Sequence, residues 1–208
     1  MNELKRFDLQ FYNNGINYLA GVDEAGRGPI AGPVVAAAVV FKQSDFIDEI
    51  NDSKKLSEKK RETLFKEIIN KALSYGYAIL DNNEIDKINI LQASLKAMSI
   101  ACENLIVKPD LILIDGNKKF HSDIKTEAIV KGDAKSFVIA AASIIAKVVR
   151  DEIMLKESEK YPQYNWGKNK GYPTKEHFES VFKLGLSPLH RKSFLRKYTD
   201  LIPIEFGE

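Results

Sequence analysis

Asp23 and Glu24 stand side by side in the stretch Gly21-Val22-Asp23-Glu24-Ala25-Gly26-Arg27-Gly28-Pro29, ahead of an apolar run from Val34 to Val40. Adjacent carboxylates at the end of an apolar strand are costly unless a cation or a proton donor neutralises them, so the pair points to a hard divalent metal. Gly26 and Gly28 flank Arg27 and have no Cβ, which lets the backbone turn tightly and approach a ligand closely. Two common glycine motifs do not fit. A dinucleotide fingerprint must open a helix, whereas Gly26-Arg27-Gly28 leads into Pro29 and a β-branched run. A P-loop would end in Gly-Lys-Ser or Gly-Lys-Thr, and Gly32-Pro33-Val34 supplies neither. A hairpin with a surface acid pair is the plain alternative for this segment taken alone.

Two further acids fall where strands end. Leu111-Ile112-Leu113-Ile114 has the pattern of a strand buried on both faces, and it runs into Asp115-Gly116-Asn117. Ligands of open α/β sheets bind beyond the carboxyl ends of such strands, although Asp-Gly also serves turns on its own account. Ala128 to Val130 reads as a short strand leading to Lys131-Gly132-Asp133. Carboxylates gathered at one sheet edge repel one another, so they make sense chiefly as ligands of Mg²⁺ or Mn²⁺; two such ions can activate a water and stabilise the leaving oxygen of a phosphodiester. Asp23 and Glu24, as strand neighbours, converge only if their strand bends or ends there.

The elements that must carry these acids follow from periodicity. Leu4, Phe7 and Phe11 predict a short opening helix, and Tyr18 to Asp23 and Val34 to Phe41 predict two strands of a hairpin. Asp52 to Glu58 forms a basic loop in which Ser57 caps a helix carrying Leu64, Ile68 and Leu73. Tyr75 to Leu80 reads as a strand, Asn83 to Ile88 as a short helix or loop and Leu91 to Leu105 as an amphipathic helix. A helix from about Val138 to Met154 has small residues, Ala140 to Ser143, suited to close packing on the sheet. Helices are also expected near Lys175 to Leu184 and near Arg191 to Tyr198.

The 208 residues can bury a real core, and the single cysteine, Cys102, excludes a disulfide framework and a thiolate zinc cluster. No apolar leader or membrane-length run is present, from which a cytoplasmic protein with no membrane association is expected. Residues 160–198 hold nine Lys/Arg against two acids, a net of +7, which leaves −5 for the rest of a chain whose net charge is +2. Such a segment is the footprint of a polyanion binder or a solvated helical face; its interleaved aromatics, among them Tyr161, Tyr164, Trp166 and Tyr172, favour nucleic acid. Ser53, Lys54, Lys55, Lys170 and Arg191 are candidate phosphate contacts.

Seven segments in order, residues 21–29, 51–56, 113–117, 131–133, 141–147, 170–174 and 190–194, resemble the bacterial ribonuclease HII family, the type 2 ribonucleases H. The resemblance implies a ribonuclease H-like α/β fold, a mixed five-stranded sheet flanked by helices with a C-terminal helical substrate-binding region. It divides the chain into an N-terminal helical extension over 1–17 and a catalytic domain over 18–208, the core reaching about residue 158 and a basic region following from about 159. It implies Mn²⁺- or Mg²⁺-dependent endonucleolytic cleavage of the RNA strand in RNA–DNA hybrids and at single ribonucleotides in duplex DNA, leaving 5′-phosphate and 3′-hydroxyl ends. Asp23, Glu24, Asp115 and Asp133 then correspond to the metal-binding carboxylates, Gly26, Arg27 and Gly28 to the loop that reads the ribose 2′-hydroxyl, and Tyr172 to the tyrosine at the RNA-to-DNA junction. A monomer suffices for all of this, and contact with a replication clamp stays open. The competing readings are a structure-selective DNA nuclease of the same architecture and a non-catalytic nucleic-acid binding module. Asp151, at i+4 from Lys147, is read as a helix ion pair, and His121, His177 and His190 lack the spacing of zinc ligands.

Overall fold

The apolar runs become a sheet covered on both sides. In the computed structural model, which describes residues 2–51 and 53–203, α1 (Glu3–Asn13) leads into β1 (Leu19–Ala25), which pairs antiparallel with β2 (Val34–Phe41) from Leu19↔Phe41 to Ala25↔Val35. After α2 (Glu58–Lys71), β3 (Ser74–Leu80) adds antiparallel to the far edge of β2. The helices α3 (Asn82–Ile88) and α4 (Ile90–Glu103) then carry the chain across to β4 (Leu111–Asp115), parallel to β1, and β5 (Lys125–Ile129) pairs parallel with β4. The order β3-β2-β1-β4-β5 is the mixed five-stranded sheet expected.

Strand alternation sends Leu19, Ala37, Val39, Leu111 and Leu113 toward α5 (Phe137–Lys160), and Ala20, Val22, Ala36, Ala38, Ile112 and Ile114 toward α4. The long helix lies against β1 so closely that a Cβ on Gly21 would come within 2.2 Å of the Val138 carbonyl carbon, which is why glycine stands there. The opening helix is not a loose appendage: Leu4 and Tyr12 are buried, and the buried Asp8 carboxylate accepts from Val138 N–H in the first turn of α5 at 2.9 Å.

Several boundaries differ from the sequence expectation. β5 begins at Lys125 rather than Ala128, because an edge strand can be polar and still hydrogen-bond along β4. α5 runs on to Lys160, beyond the apolar stretch that announced it. The basic region folds into α6 (Trp166–Asn169), α7 (Lys175–Leu184), α8 (Lys192–Leu195) and a 3₁₀ turn, Arg196–Leu201, where one continuous helix from Arg191 to Tyr198 is expected. Asp52 of the basic loop and residues 204–208 lie outside the described residues. Among the described residues no helix is long and apolar enough to cross a membrane.

Candidate active site

β1 and β4 pair only as far as Val22↔Ile114, and the next residues are Asp23 and Asp115. The two chains therefore part where the acids begin, at the carboxyl ends of adjacent parallel strands. Asp133 comes from a 3₁₀ turn, Gly132–Ala134, entered through Lys131 at φ 57°, and the Gly132 amide donates to Asp115 Oδ1 at 2.6 Å. That bond fixes the β5–α5 connection against the end of β4.

Asp23 and Asp133 are buried, and Glu24 and Asp115 are partly so. Burial pushes the Asp23 carboxyl well above the usual carboxylate range, and the charges of Glu24 and Asp115 push it further. Glu24 is raised by burial and by Asp115, against the pull of Arg27, whose Nη1 lies 3.3 Å from Glu24 Oε1. Asp115 is raised by burial and by Asp133, while the Gly132 and Asp133 amides and Lys54 act in the opposite sense. Lys54 Nζ reaches Asp133 Oδ2 at 3.2 Å. Each acid thus takes a separate donor, and among the described residues no three metal-ligating side chains form a closed cluster. The four carboxylates nevertheless supply an all-oxygen donor set with no sulfur or imidazole, under mutual repulsion, which is the chemistry that suits a hard divalent cation.

The glycine loop is held from beneath. A Cβ on Gly26, at φ 102°, would lie 2.3 Å from Arg150 Nε, so both conformation and space demand glycine. Arg191 is fully buried, and its guanidinium donates to the carbonyls of Gly26, Arg27, Pro29, Gly32 and Pro33 at 2.7–3.3 Å. Arg150 donates to Ala31, Pro33 and Lys170. Because the peptides of this loop are trans, a carbonyl turned inward sends the next amide outward: the Gly26 and Arg27 carbonyls on Arg191 direct the Arg27 and Gly28 N–H groups toward the exposed side of the loop. Arg191 therefore corrects one sequence expectation, since a fully buried guanidinium saturated by carbonyls offers no face to a phosphate.

Tyr172 is 40 % exposed, and its ring edge approaches Gly28, where a Cβ would sit 3.6 Å from Cε1. Lys147 Nζ and Arg150 Cζ each lie 5.8 Å from the ring centroid. The loops join directly, Ile30 N–H donating to Gly171 O at 2.9 Å. The glycine loop thus touches both sides, the acids through Arg27 on Glu24 and the Tyr172 segment through Gly28 and Ile30.

The sequence model of the ribonuclease HII family matches residues 20–197. Ribonuclease HII of Rickettsia akari (strain Hartford) is 55 % identical over 192 residues, covering 92 % of this chain and 97 % of that protein. The chain belongs to the ribonuclease HII family. It is accordingly an endonuclease that cleaves RNA in RNA–DNA hybrids. Among solved structures, the ribonuclease H2 from Pyrococcus horikoshii OT3 superposes with TM-score 0.74 at 30 % identity, covering 88 % of this chain and 97 % of that one. The RNase HII of Archaeoglobus fulgidus, solved in complex with PCNA, gives TM-score 0.71 at 26 % identity over 90 % of this chain and 98 % of that one.

Within this ribonuclease HII framework the other candidate phosphate contacts separate. Lys54 and Lys55 are exposed on the 3₁₀ turn Ser53–Lys55, whereas Ser53 is buried with its Oγ 2.9 Å from Ser143 Oγ. Lys170 is largely covered, donating to Gly167 O at 2.8 Å and lying 3.5 Å from Glu58. Asp151 pairs with Lys147 at 2.7 Å, as its spacing predicts, and also with Arg61 at 3.5 Å. The sequence reading missed Arg150. Its signal was position, a guanidinium one turn beyond Ala146 on the face of α5 that buries Ile139 and Ala142.

Proposed function

We propose that the site incises duplex DNA on the 5′ side of a single embedded ribonucleotide as well as cutting longer hybrids, leaving 5′-phosphate and 3′-hydroxyl ends. Asp23, Glu24, Asp115 and Asp133 would hold Mg²⁺ or Mn²⁺, and such ions, when bound, supply a water nucleophile and stabilise charge on the leaving oxygen. The chain itself supplies selection. A 2′-hydroxyl both donates and accepts, and it is the group by which a protein tells RNA from DNA. The observation that carries the reading is the outward-facing Arg27 and Gly28 amides, three to five residues from the acid pair and fixed by Arg191. A ribose read there brings its own phosphodiester to the carboxylates. Tyr172, edge-on to Gly28, packs against the next sugar and senses whether it is deoxyribose, and Arg27, Lys54 and Lys55 meet phosphates.

The test is a DNA duplex carrying one ribonucleotide, beside an all-DNA control, incubated with the protein and Mg²⁺ or Mn²⁺, with the ends mapped. Incision 5′ of the ribonucleotide, absent from the control and from Asp23→Asn, is the expected result. Cutting of both duplexes would overturn 2′-hydroxyl reading in favour of a DNA nuclease, and binding without cutting would overturn catalysis.

A further inference from the structure

Three aromatic side chains, Trp166, His177 and His190, close into a buried chain of hydrogen bonds behind the Tyr172 loop. Trp166 Nε1 lies 3.0 Å from His177 Nε2, and the same His177 nitrogen lies 3.1 Å from His190 Nε2. His190 Nδ1 faces Ser187 N–H at 2.9 Å, and His177 Nδ1 faces the Tyr172 carbonyl at 2.9 Å. Trp166 and His177 are fully buried and His190 nearly so, and Tyr164 stacks on Trp166 with ring centroids 5.3 Å apart.

The partners dictate where the protons are. An indole N–H and a backbone N–H can only donate, so His177 Nε2 and His190 Nδ1 must accept; a carbonyl can only accept, so His177 Nδ1 must donate. A neutral His190 then carries its proton on Nε2 and gives it to His177 Nε2. The single lone pair of His177 Nε2 is thus shared by the Trp166 and His190 N–H groups in a three-centre bond, and the two Nδ1 atoms have partners of their own. Burial holds His177 below its ordinary range and, with His177 beside it, pushes His190 down to about 3, so both rings stay neutral.

We infer that His177, locked in its Nδ1–H tautomer by Trp166 and His190, is a positioning residue that sets the backbone of Tyr172 and thereby the reading of the RNA-to-DNA junction. This rests on Tyr172 being the junction reader. The relay ends on the Tyr172 carbonyl, which also accepts from Thr174 N–H at 2.8 Å, while the Tyr172 amide donates to Asn169 O at 2.9 Å. Its anchor is shared with the glycine loop: His190 bridges Ala31, and the following Arg191 N–H donates to Ile30 O. The ribose-reading and junction-reading loops are therefore set by one buried block.

Two substitutions separate positioning from packing. In His177→Asn the side-chain amide can take the place of Nδ1–H and keep the Tyr172 bond while abandoning Trp166 and His190; His177→Gln reaches toward those two and abandons Tyr172. The readout is junction preference, the ratio of kcat/KM on a single-ribonucleotide duplex to that on a continuous hybrid. His177→Asn should keep it, and His177→Gln should lose about threefold to tenfold, the worth of one hydrogen bond. Equal ratios in the two variants, or the reverse order, would overturn the inference. ¹⁵N NMR of the wild-type imidazoles needs no variant to fold: His177 protonated on Nε2 would equally overturn it. Tyr172→Ala, run alongside, keeps the failures distinct. An unchanged junction preference there would remove the Tyr172 reading and this inference with it, whereas a changed one beside an unaffected His177→Gln would remove the inference alone.

Discussion

Replacing Arg191 by lysine keeps the charge and removes the fork. Five carbonyls, those of Gly26, Arg27, Pro29, Gly32 and Pro33, accept from the guanidinium, and among the described residues only Pro33 keeps a second donor, Arg150 Nε at 3.0 Å. An ammonium has three N–H groups radiating from one atom in place of a wide planar fork, so two of the other four acceptors are stranded. At about 1–3 kcal/mol per unsatisfied buried group the loss is about 2–6 kcal/mol. For a chain of this size each kcal/mol lowers Tm by about 2–4 °C, so a fall of at least about 4 °C is expected in a thermal melt. The Arg27 and Gly28 amides lose their imposed direction at the same time. Two weakened bonds to a 2′-hydroxyl, at about 0.5–1.5 kcal/mol each, reduce kcat/KM on a single-ribonucleotide duplex by about fivefold to a hundredfold, assayed well below the new Tm. A melt within about 1 °C of the wild type would refute the role assigned to the fork. A lower Tm with unchanged cleavage would keep the structural role and refute the link from Arg191 to ribose reading.

Other changes are expected to separate chemistry, recognition and proton linkage. Asp23→Asn and Asp133→Asn should each lower cleavage by about two to three orders of magnitude or more while leaving hybrid binding near normal by gel shift; near-normal turnover in either would remove that residue from the site. Tyr172→Ala should lower junction preference by about fivefold or more with little change in duplex affinity, and equal losses on every substrate would contradict its role. His190, pushed down to about 3 from an ordinary 6.5, binds its proton more readily in the unfolded chain, so its contribution to stability is full above about pH 6.5 and is lost as pH falls toward 3. Urea unfolding at pH 7 and pH 5 should show the wild type losing about 2 kcal/mol more than His190→Gln over that step. Equal losses would mean that His190 is not held neutral.

The acids were legible because two signals coincide at them. A buried strand announces itself by its apolar run, and a carboxylate at its end has no packing reason to be there, so Asp23 and Asp115 stand out in the sequence itself. Polar β5 and the last turns of α5 lacked the first signal, because an edge strand and a helix emerging from the core are held by hydrogen bonds that composition does not record. Arg191 failed for a different reason. Its place in a +7 segment argued for an outward-facing phosphate contact, since a count of charges says nothing of where each one points. The better clue lay far away in sequence. From Gly26 to Pro33 the chain has three glycines and two prolines and joins no ladder but the single bridge at Ala31, so its inward carbonyls need donors from elsewhere. One arginine brings five N–H groups on a planar fork, more than any other side chain. A loop whose carbonyls turn inward therefore calls for a buried arginine, and the two buried arginines among the described residues, Arg150 and Arg191, both donate to its carbonyls.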